Sequence, residues 1–277
     1  VVLNVQNVDG SWVKWKPQNY DGSTGGLTTL REGLRKSMNL ISVRMVQQDI
    51  APSEQVKRTA QRMGITTDIR AVDALALGTS EVYPLEIVSA YAAFANQGVY
   101  SKPFPITRVE DRYGNVIKEF YPERKEVLSE ETTYLMTSLM QTVMDRGTGG
   151  SARWKYKFNR PAAGKTGTTQ GWSDAWFVGF TPQIAAGCWF GVDDFRVPLG
   201  PGQDGSIAAL PAWARFMKGA HDTLDFPIQK FEKPSGIHDI EICSVTKKAP
   251  VPACPVEKEI FKVGTEPIQK CKVHRTQ

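Results

Sequence analysis

The run Ala163-Gly164-Lys165-Thr166-Gly167-Thr168-Thr169 places one lysine between two glycines, followed by three hydroxyl side chains within four positions. A lysine in that setting can hold an anion by charge, and the threonines can orient it by hydrogen bonding. Gly-Lys-Thr also ends the phosphate-binding P-loop, G-x-x-x-x-G-K-[ST], but the position of the required first glycine holds Asn159. A P-loop lysine stands at the start of a helix. Here Gly167, Gly171 and the run Trp176 to Phe180, closed by Thr181-Pro182, read as extended chain and turn. A second apolar run from Ile184 to Val192 follows, so Lys165 belongs on or beside an antiparallel strand. Upstream, Ser37-Met38-Asn39 offers a short hydroxyl able to donate and accept a proton, with an amide two residues on. Thr29-Leu30-Arg31-Glu32 reads as a capping box opening a short helix, and Leu40, Ile41, Val43 and Met45 carry a second one. Ser37 and Asn39 therefore fall at a tight junction between two helices. Alone, an S-x-N tripeptide is common, and its usual reading is a helix cap.

Taken with their order, these motifs resemble the K-T-G-T-T and S-x-N elements of the penicillin-binding transpeptidases, in particular the transpeptidase domain of class A, bifunctional members. The lead-in Trp15 to Gly22, Arg146-Gly147-Thr148-Gly149, Asp174 to Pro182 and Asp193 extend the resemblance over nearly the whole chain. It implies a D,D-transpeptidase that cross-links peptidoglycan stem peptides through a serine acyl-enzyme and is a target of β-lactams. It further implies that Ser37 relays a proton among nucleophile, Lys165 and leaving amine, and that Asn39 holds the substrate amide and the base lysine. Lys165 would supply positive charge, and Thr166, Gly167 and Thr168 would bind the substrate, with the Thr168 backbone N–H as an oxyanion donor. The glycines at 164 and 167 would let another backbone approach as an added strand.

One departure stands out. The family nucleophile is the serine of S-x-x-K at the start of a buried helix, and the two literal matches fit badly. Ser11-Trp12-Val13-Lys14 runs into Pro17, Asn19 and Gly22, and Ser244-Val245-Thr246-Lys247 lies downstream of the lysine motif, near Pro250 and Pro252. The expectation is a fragment that begins after the nucleophile, which Val1 as first residue fits, and that is inactive alone. A membrane anchor is expected on the missing N-terminal part, and an extracytoplasmic location with it. The alternatives are a non-catalytic cell-wall or partner-binding module and a D,D-carboxypeptidase on the same fold.

With 41% hydrophobic and 23% charged residues in 277, the chain can build a sizeable core. Its net charge of +5 (34 basic, 29 acidic) is mildly basic, and no basic-aromatic interleaving suggests a nucleic-acid groove. Besides stem peptides and β-lactams, cell-wall assembly proteins are possible partners. No cofactor is expected. The elements required are α+β: an antiparallel sheet with helices on both faces and an all-helical lobe beside it, of the penicillin-binding/β-lactamase type. Residues 27–98 read as mostly helical, with Leu85, Val88, Tyr91 and Phe94 as a core stripe. Ile106 to Phe120 reads as a hairpin, Ser129 to Arg146 as a helix with Leu135, Leu139 and Val143 on one face, and Ala208 to Ala220 as the last helix.

The composition shifts near Thr223, which divides the chain into a body at 1–222 and a small loop-rich extension at 223–277. The extension carries six of the prolines and three of the four cysteines. Cys188 reads as a buried free thiol. Cys243, Cys254, Cys271 and His274 have the residue types of a zinc site, but the first pair lacks the short C-x-x-C spacing, and an extracytoplasmic setting favours disulfides. The reading is therefore no metal and a Cys254–Cys271 disulfide.

Overall fold

Two short strands, β1 (Leu3–Gln6) and β2 (Trp12–Trp15), pair as an antiparallel hairpin ahead of the helical region. The structure is a computed structural model that describes residues 2–6, 10–24, 26–194 and 196–274; Val1 lies outside them. Helix α1 (Leu30–Arg35) opens on Thr29, whose hydroxyl accepts the Glu32 backbone N–H at 3.1 Å. Only half of the expected capping box forms, because the Glu32 carboxylate turns to Arg35 instead. Helices α2 (Asn39–Gln47), α3 (Ser53–Arg62) and α4 (Pro84–Ala95), with a 3-10 turn at Asp73–Leu77, complete the helical lobe. Proline at the first position of α4 removes an N–H that would have no partner there.

Beyond α4, β3 (Val99–Ser101) pairs with β6 (Arg124–Glu126). Between them β4 (Arg108–Glu110) and β5 (Val116–Glu119) form the expected hairpin, exposed along its length. Helix α5 (Glu130–Arg146) is capped by the Ser129 hydroxyl and is followed by one turn of helix, α6 (Ser151–Trp154). In α5 the expected Val143 is buried, but Leu135 and Leu139 are only half-buried, and Thr133, Thr137, Met140 and Met144, at helical spacing, make up the rest of the core stripe.

The strands that follow form the central antiparallel sheet, in the order β7 (Ala163–Thr168), β8 (Asp174–Phe180), β9 (Ala185–Gly191). Alternation along β8 gives the sheet its two covered faces. Phe177 points to helix α7 (Leu210–Thr223), its ring 4.8 Å from that of Trp213, whose indole N–H donates to the Ala186 carbonyl at 3.1 Å. Phe180 points the other way, stacked on Phe94 and edge-on to Tyr91 of α4. Burial pushes the Tyr91 phenol up to about 12, as suits a core residue. The architecture is thus the expected α+β arrangement, helices on both faces of an antiparallel sheet beside a helical lobe. His221 closes the core behind β8, its Nε2 2.9 Å from the Thr181 hydroxyl and its Nδ1 2.8 Å from the Met217 carbonyl.

After α7 the chain forms a long hairpin of β10 (Ile237–Cys243) and β11 (Val256–Lys262), registered from Ile237↔Lys262 to Cys243↔Val256. Glu259 of β11 accepts a two-pronged ion pair from Arg31 of α1, and Arg31 also donates to the Ser138 carbonyl and the Thr142 hydroxyl of α5. No helix among the described residues is long and apolar enough to cross a membrane.

Candidate active site

Ser37 sits where α1 must stop and α2 must start. Its N–H donates to the Leu34 carbonyl and that of Met38 to the Gly33 carbonyl, a closure that holds Ser37 at φ +56°. Left-handed backbone is strained for any residue with a Cβ. Met38 cannot cap α2. The buried Asn19 does so from a distance, its side-chain oxygen accepting the Leu40 N–H at 3.0 Å. A second brace comes from the end of α5, where Arg35 donates to the Arg146 carbonyl and the Thr148 N–H donates to the Arg35 carbonyl. Gly147 makes this fit possible, since a Cβ there would lie 2.6 Å from the Arg35 carbonyl oxygen.

Lys165 reaches this junction from β7. Its ammonium donates to the Ser37 hydroxyl at 2.7 Å and to the Thr166 carbonyl at 2.8 Å. The Thr166 hydroxyl is 2.9 Å from that of Thr148, and the Thr168 hydroxyl accepts the Gly205 N–H at 3.0 Å. β7 is an edge strand, and its register decides which backbone groups face outward. The Thr169 N–H bonds to the Asp174 carbonyl. Alternation in an antiparallel ladder then makes Thr168↔Ala175 and Thr166↔Phe177 the pairs without mutual hydrogen bonds, so the N–H and C=O of Thr166 and Thr168 point to the open edge. The glycines serve an internal fit. A Cβ on Gly164 would strike Phe177 and the β8 backbone, and Gly167 lies against Trp176 and under Gly205.

The site is positively charged on the side of Arg35, Lys36 and Arg146. Asn19, Asp21, Arg35, Lys36, Arg146 and Thr148 line a cleft of about 320 Å3 that includes both chain neighbours of Ser37, Lys36 and Met38. Burial draws the Lys165 ammonium down to about 8, within reach of either protonation state near neutral pH. The structure therefore brings Ser37, Lys165 and Thr166 together, with Thr168 one step along the edge. Asn39 stands apart, donating to the Gln18 carbonyl at 2.8 Å. Thr148 and Asn19 are residues that sequence reasoning did not single out, although both lie in segments it had quoted. Neither S-x-x-K match is on a helix: Ser11 precedes β2 and Ser244 begins the turn after β10.

The expected Cys254–Cys271 disulfide is absent, and all four cysteines are free thiols. Cys188 is half-buried against the core, where burial pushes its thiol up. Cys243, Cys254, Cys271 and His274 instead gather with their sulfur and nitrogen atoms all within 4.8 Å of one another. The legible signal was Cys271-Lys272-Val273-His274, a short-spaced ligand pair of a different kind from C-x-x-C.

Residues 4–193 match the family described as the penicillin binding protein transpeptidase domain, and residues 233–276 match the penicillin-binding protein 1A C-terminal domain. Penicillin-binding protein 1A of Aquifex aeolicus is 37% identical over 257 residues, covering 93% of this chain and 34% of that protein. Penicillin-binding protein 2D of Bacillus subtilis is 32% identical over 271 residues, covering 95% of this chain and 38% of that protein. Among solved structures, penicillin-binding protein 1A from Haemophilus influenzae superposes with a TM-score of 0.86 at 28% identity, over 98% of this chain and 45% of that one. The chain thus spans about a third of the length of these curated relatives.

Proposed function

We propose that this chain, which belongs to the penicillin-binding protein transpeptidase domain family, carries the acyl-transfer cleft of a D,D-transpeptidase acting on peptidoglycan stem peptides and acylated by β-lactams. The observation that carries this reading is the 2.7 Å hydrogen bond from the Lys165 ammonium to the Ser37 hydroxyl, joining the helix junction to an edge strand with outward-facing N–H groups. In it Ser37 accepts from Lys165 and keeps its own proton free to pass to a leaving amine, as a relay requires. The Thr168 hydroxyl, already accepting from Gly205, has its proton available for a terminal carboxylate, and the Thr166 and Lys165 groups add to that anion site. The outward Thr168 N–H is placed to donate to an oxyanion. Asn39 would contact the substrate amide only after leaving Gln18.

The acylated serine is not assigned to any residue of this chain, because neither S-x-x-K pair lies on a helix that could align its lysine with its serine. The body at 1–222 is assigned to the transpeptidase domain and 223–277 to a separate extension, in keeping with family matches on either side of that division. An extracytoplasmic location follows from the proposed substrate. The direct test is intact-mass analysis after incubation with a fluorescent β-lactam. The longer protein should take up one label, and residues 1–277 alone none; a stoichiometric adduct on Ser11 or Ser37 would overturn the assignment.

A further inference from the structure

Three segments that share no regular structure converge at the far end of the β10–β11 hairpin: the last residue of β10 with Cys243, the proline-flanked turn with Cys254, and the C-terminal stretch with Cys271 and His274. The His274 Nδ1 is 3.5, 3.4 and 3.3 Å from the sulfurs of Cys243, Cys254 and Cys271. Zinc–sulfur and zinc–nitrogen bonds of about 2.3 and 2.0–2.1 Å at tetrahedral angles put sulfur and nitrogen about 3.5 Å apart. The three sulfur–nitrogen distances are thus those of a coordination tetrahedron, and all four atoms lie within 4.8 Å of one another. Three cysteines cannot all pair with one another, so a disulfide would leave one thiol and the imidazole without purpose.

The backbone around the cluster is organised for the same end. The Val251 N–H donates to the Cys254 sulfur at 3.3 Å. The Cys271 N–H is held by the Ala249 carbonyl at 2.8 Å, which ties the C-terminal stretch to the segment after β10. The buried Thr246 hydroxyl has no oxygen or nitrogen partner and sits beside the sulfurs of Cys243 and Cys271, where it can donate to a thiolate. A donor aimed at a ligating sulfur is the usual outer support of a metal site.

We propose that Cys243, Cys254, Cys271 and His274 bind a single zinc ion, through three thiolates and the imidazole Nδ1, as a structural site of the extension. Three thiolates with one imidazole in tetrahedral array select zinc over the oxygen-seeking magnesium and calcium. All four positions are filled by the protein, leaving none for a catalytic water. On binding, three thiol protons pass to solvent and no electron moves.

The test is to purify the full chain under reducing conditions, strip it with a chelator, and reconstitute it with zinc chloride. Elemental analysis should find a single zinc per chain, and X-ray absorption should find Zn–S near 2.3 Å and Zn–N near 2.0 Å. Alkylation of Cys243, Cys254 and Cys271 should slow at least about 10-fold on zinc loading and recover with chelator, while Cys188 reacts at an unchanged rate. Cys254→Ser should weaken zinc binding more than the roughly 100-fold that loss of an outer partner brings, and Thr246→Val by about 10-fold. Should a variant fail to fold, cobalt titration of the unmodified chain still reports the tetrahedral thiolate site by its visible spectrum. Zinc content no higher than that of Cys254→Ser, a different metal at stoichiometry, or a disulfide among these three cysteines in protein purified without reductant would overturn the proposal.

Discussion

The cleft around Lys165 and the cysteine–histidine cluster use the same device, reactive side chains drawn from distant segments to one point, and differ in what stands behind them. Behind Lys165 lie the β7–β9 sheet and the packed rings of Phe177, Phe180 and Trp213. The cleft residues can therefore be changed without removing the scaffold. Behind Cys254 and Cys271 lies the β10–β11 hairpin with few buried side chains, Ile237, Ile242, Cys243 and Cys271 among them. There the reactive groups are the scaffold. A polar substitution should thus alter chemistry in the first region and structure in the second.

The sharpest way to break this contrast is at Lys165. In the longer protein Lys165→Ala should slow β-lactam acylation by at least about 100-fold to 1000-fold, the scale for a lost electrostatic contact in the transition state, with little loss of thermal stability. Stopped-flow acylation paired with a melting curve decides it. A normal rate would make Lys165 an ordinary charge, and a collapsed fold would place it in the same class as the cysteines. Gly147→Ala probes the cleft through its backbone. The new Cβ meets the Arg35 carbonyl and the Val143 Cα at 2.6 and 2.8 Å, so the end of α1 must move and carry Ser37 off Lys165. A shift of about 1 Å in such a site can cost about 100-fold in rate. Acylation of Gly147→Ala that matched the unmodified protein would mean that the junction tolerates displacement.

Much of the body was legible because local signals and packing agree there. The glycine-flanked lysine on its strand, the helix that starts at Ser129 and the β4–β5 hairpin all form where their sequences indicate. What escaped was long-range. The stripe Thr133-Thr137 faces the core although threonine reads as surface, Asn19 caps a helix twenty-one residues away, and Asn39 turns to Gln18. The extension was misread for the same reason: pairing of Cys254 with Cys271 is reasonable for two cysteines in a row of prolines, and only the fold brings Cys243 and His274 to the same point.

The extension is tied to the body at several points, and cutting the ion pair of Arg31 with Glu259 sharpens the comparison. Burial pushes the Glu259 carboxyl up, but the Arg31 guanidinium and the Ile260 N–H outweigh it and leave it below the ordinary carboxylate value. A carboxyl depressed in the folded state contributes stability above its unfolded pKa and loses it as pH falls through the folded pKa. Glu259→Gln should lower stability at pH 7 by about 1–3 kcal/mol, with the gap closing below about pH 4. Denaturant unfolding at the two pH values measures it, and a gap that persisted in acid would show that shape, not charge, holds the hairpin down. Lys165 gives the opposite sign. Its pKa falls from 10.5 to about 8 on folding, so the unfolded chain binds more protons between those values and stability should rise with pH across that window, by about 1–3 kcal/mol in all. Lys165→Met should flatten this rise in melting curves from pH 7.5 to 10.5; an unchanged slope would assign it to another group.

The smallest expected effect concerns the strain at Ser37. Its φ of +56° is a conformation glycine adopts freely, whereas a residue with a Cβ adopts it at a cost of about 1 kcal/mol. Ser37→Ala and Ser37→Gly both remove the hydroxyl that Lys165 bonds, so the lost hydrogen bond cancels when the two are compared and only the backbone term remains. Ser37→Gly should be the more stable by about 1 kcal/mol, a difference of about 2–4 °C in melting temperature for a chain of this size. Both should be defective in acylation in the longer protein. If alanine proved as stable as glycine, the junction would be relaxed and the serine held there without strain. If glycine is the more stable, a residue that weakens the fold occupies the position from which a hydroxyl meets Lys165 at 2.7 Å, a trade expected where the side chain does chemistry.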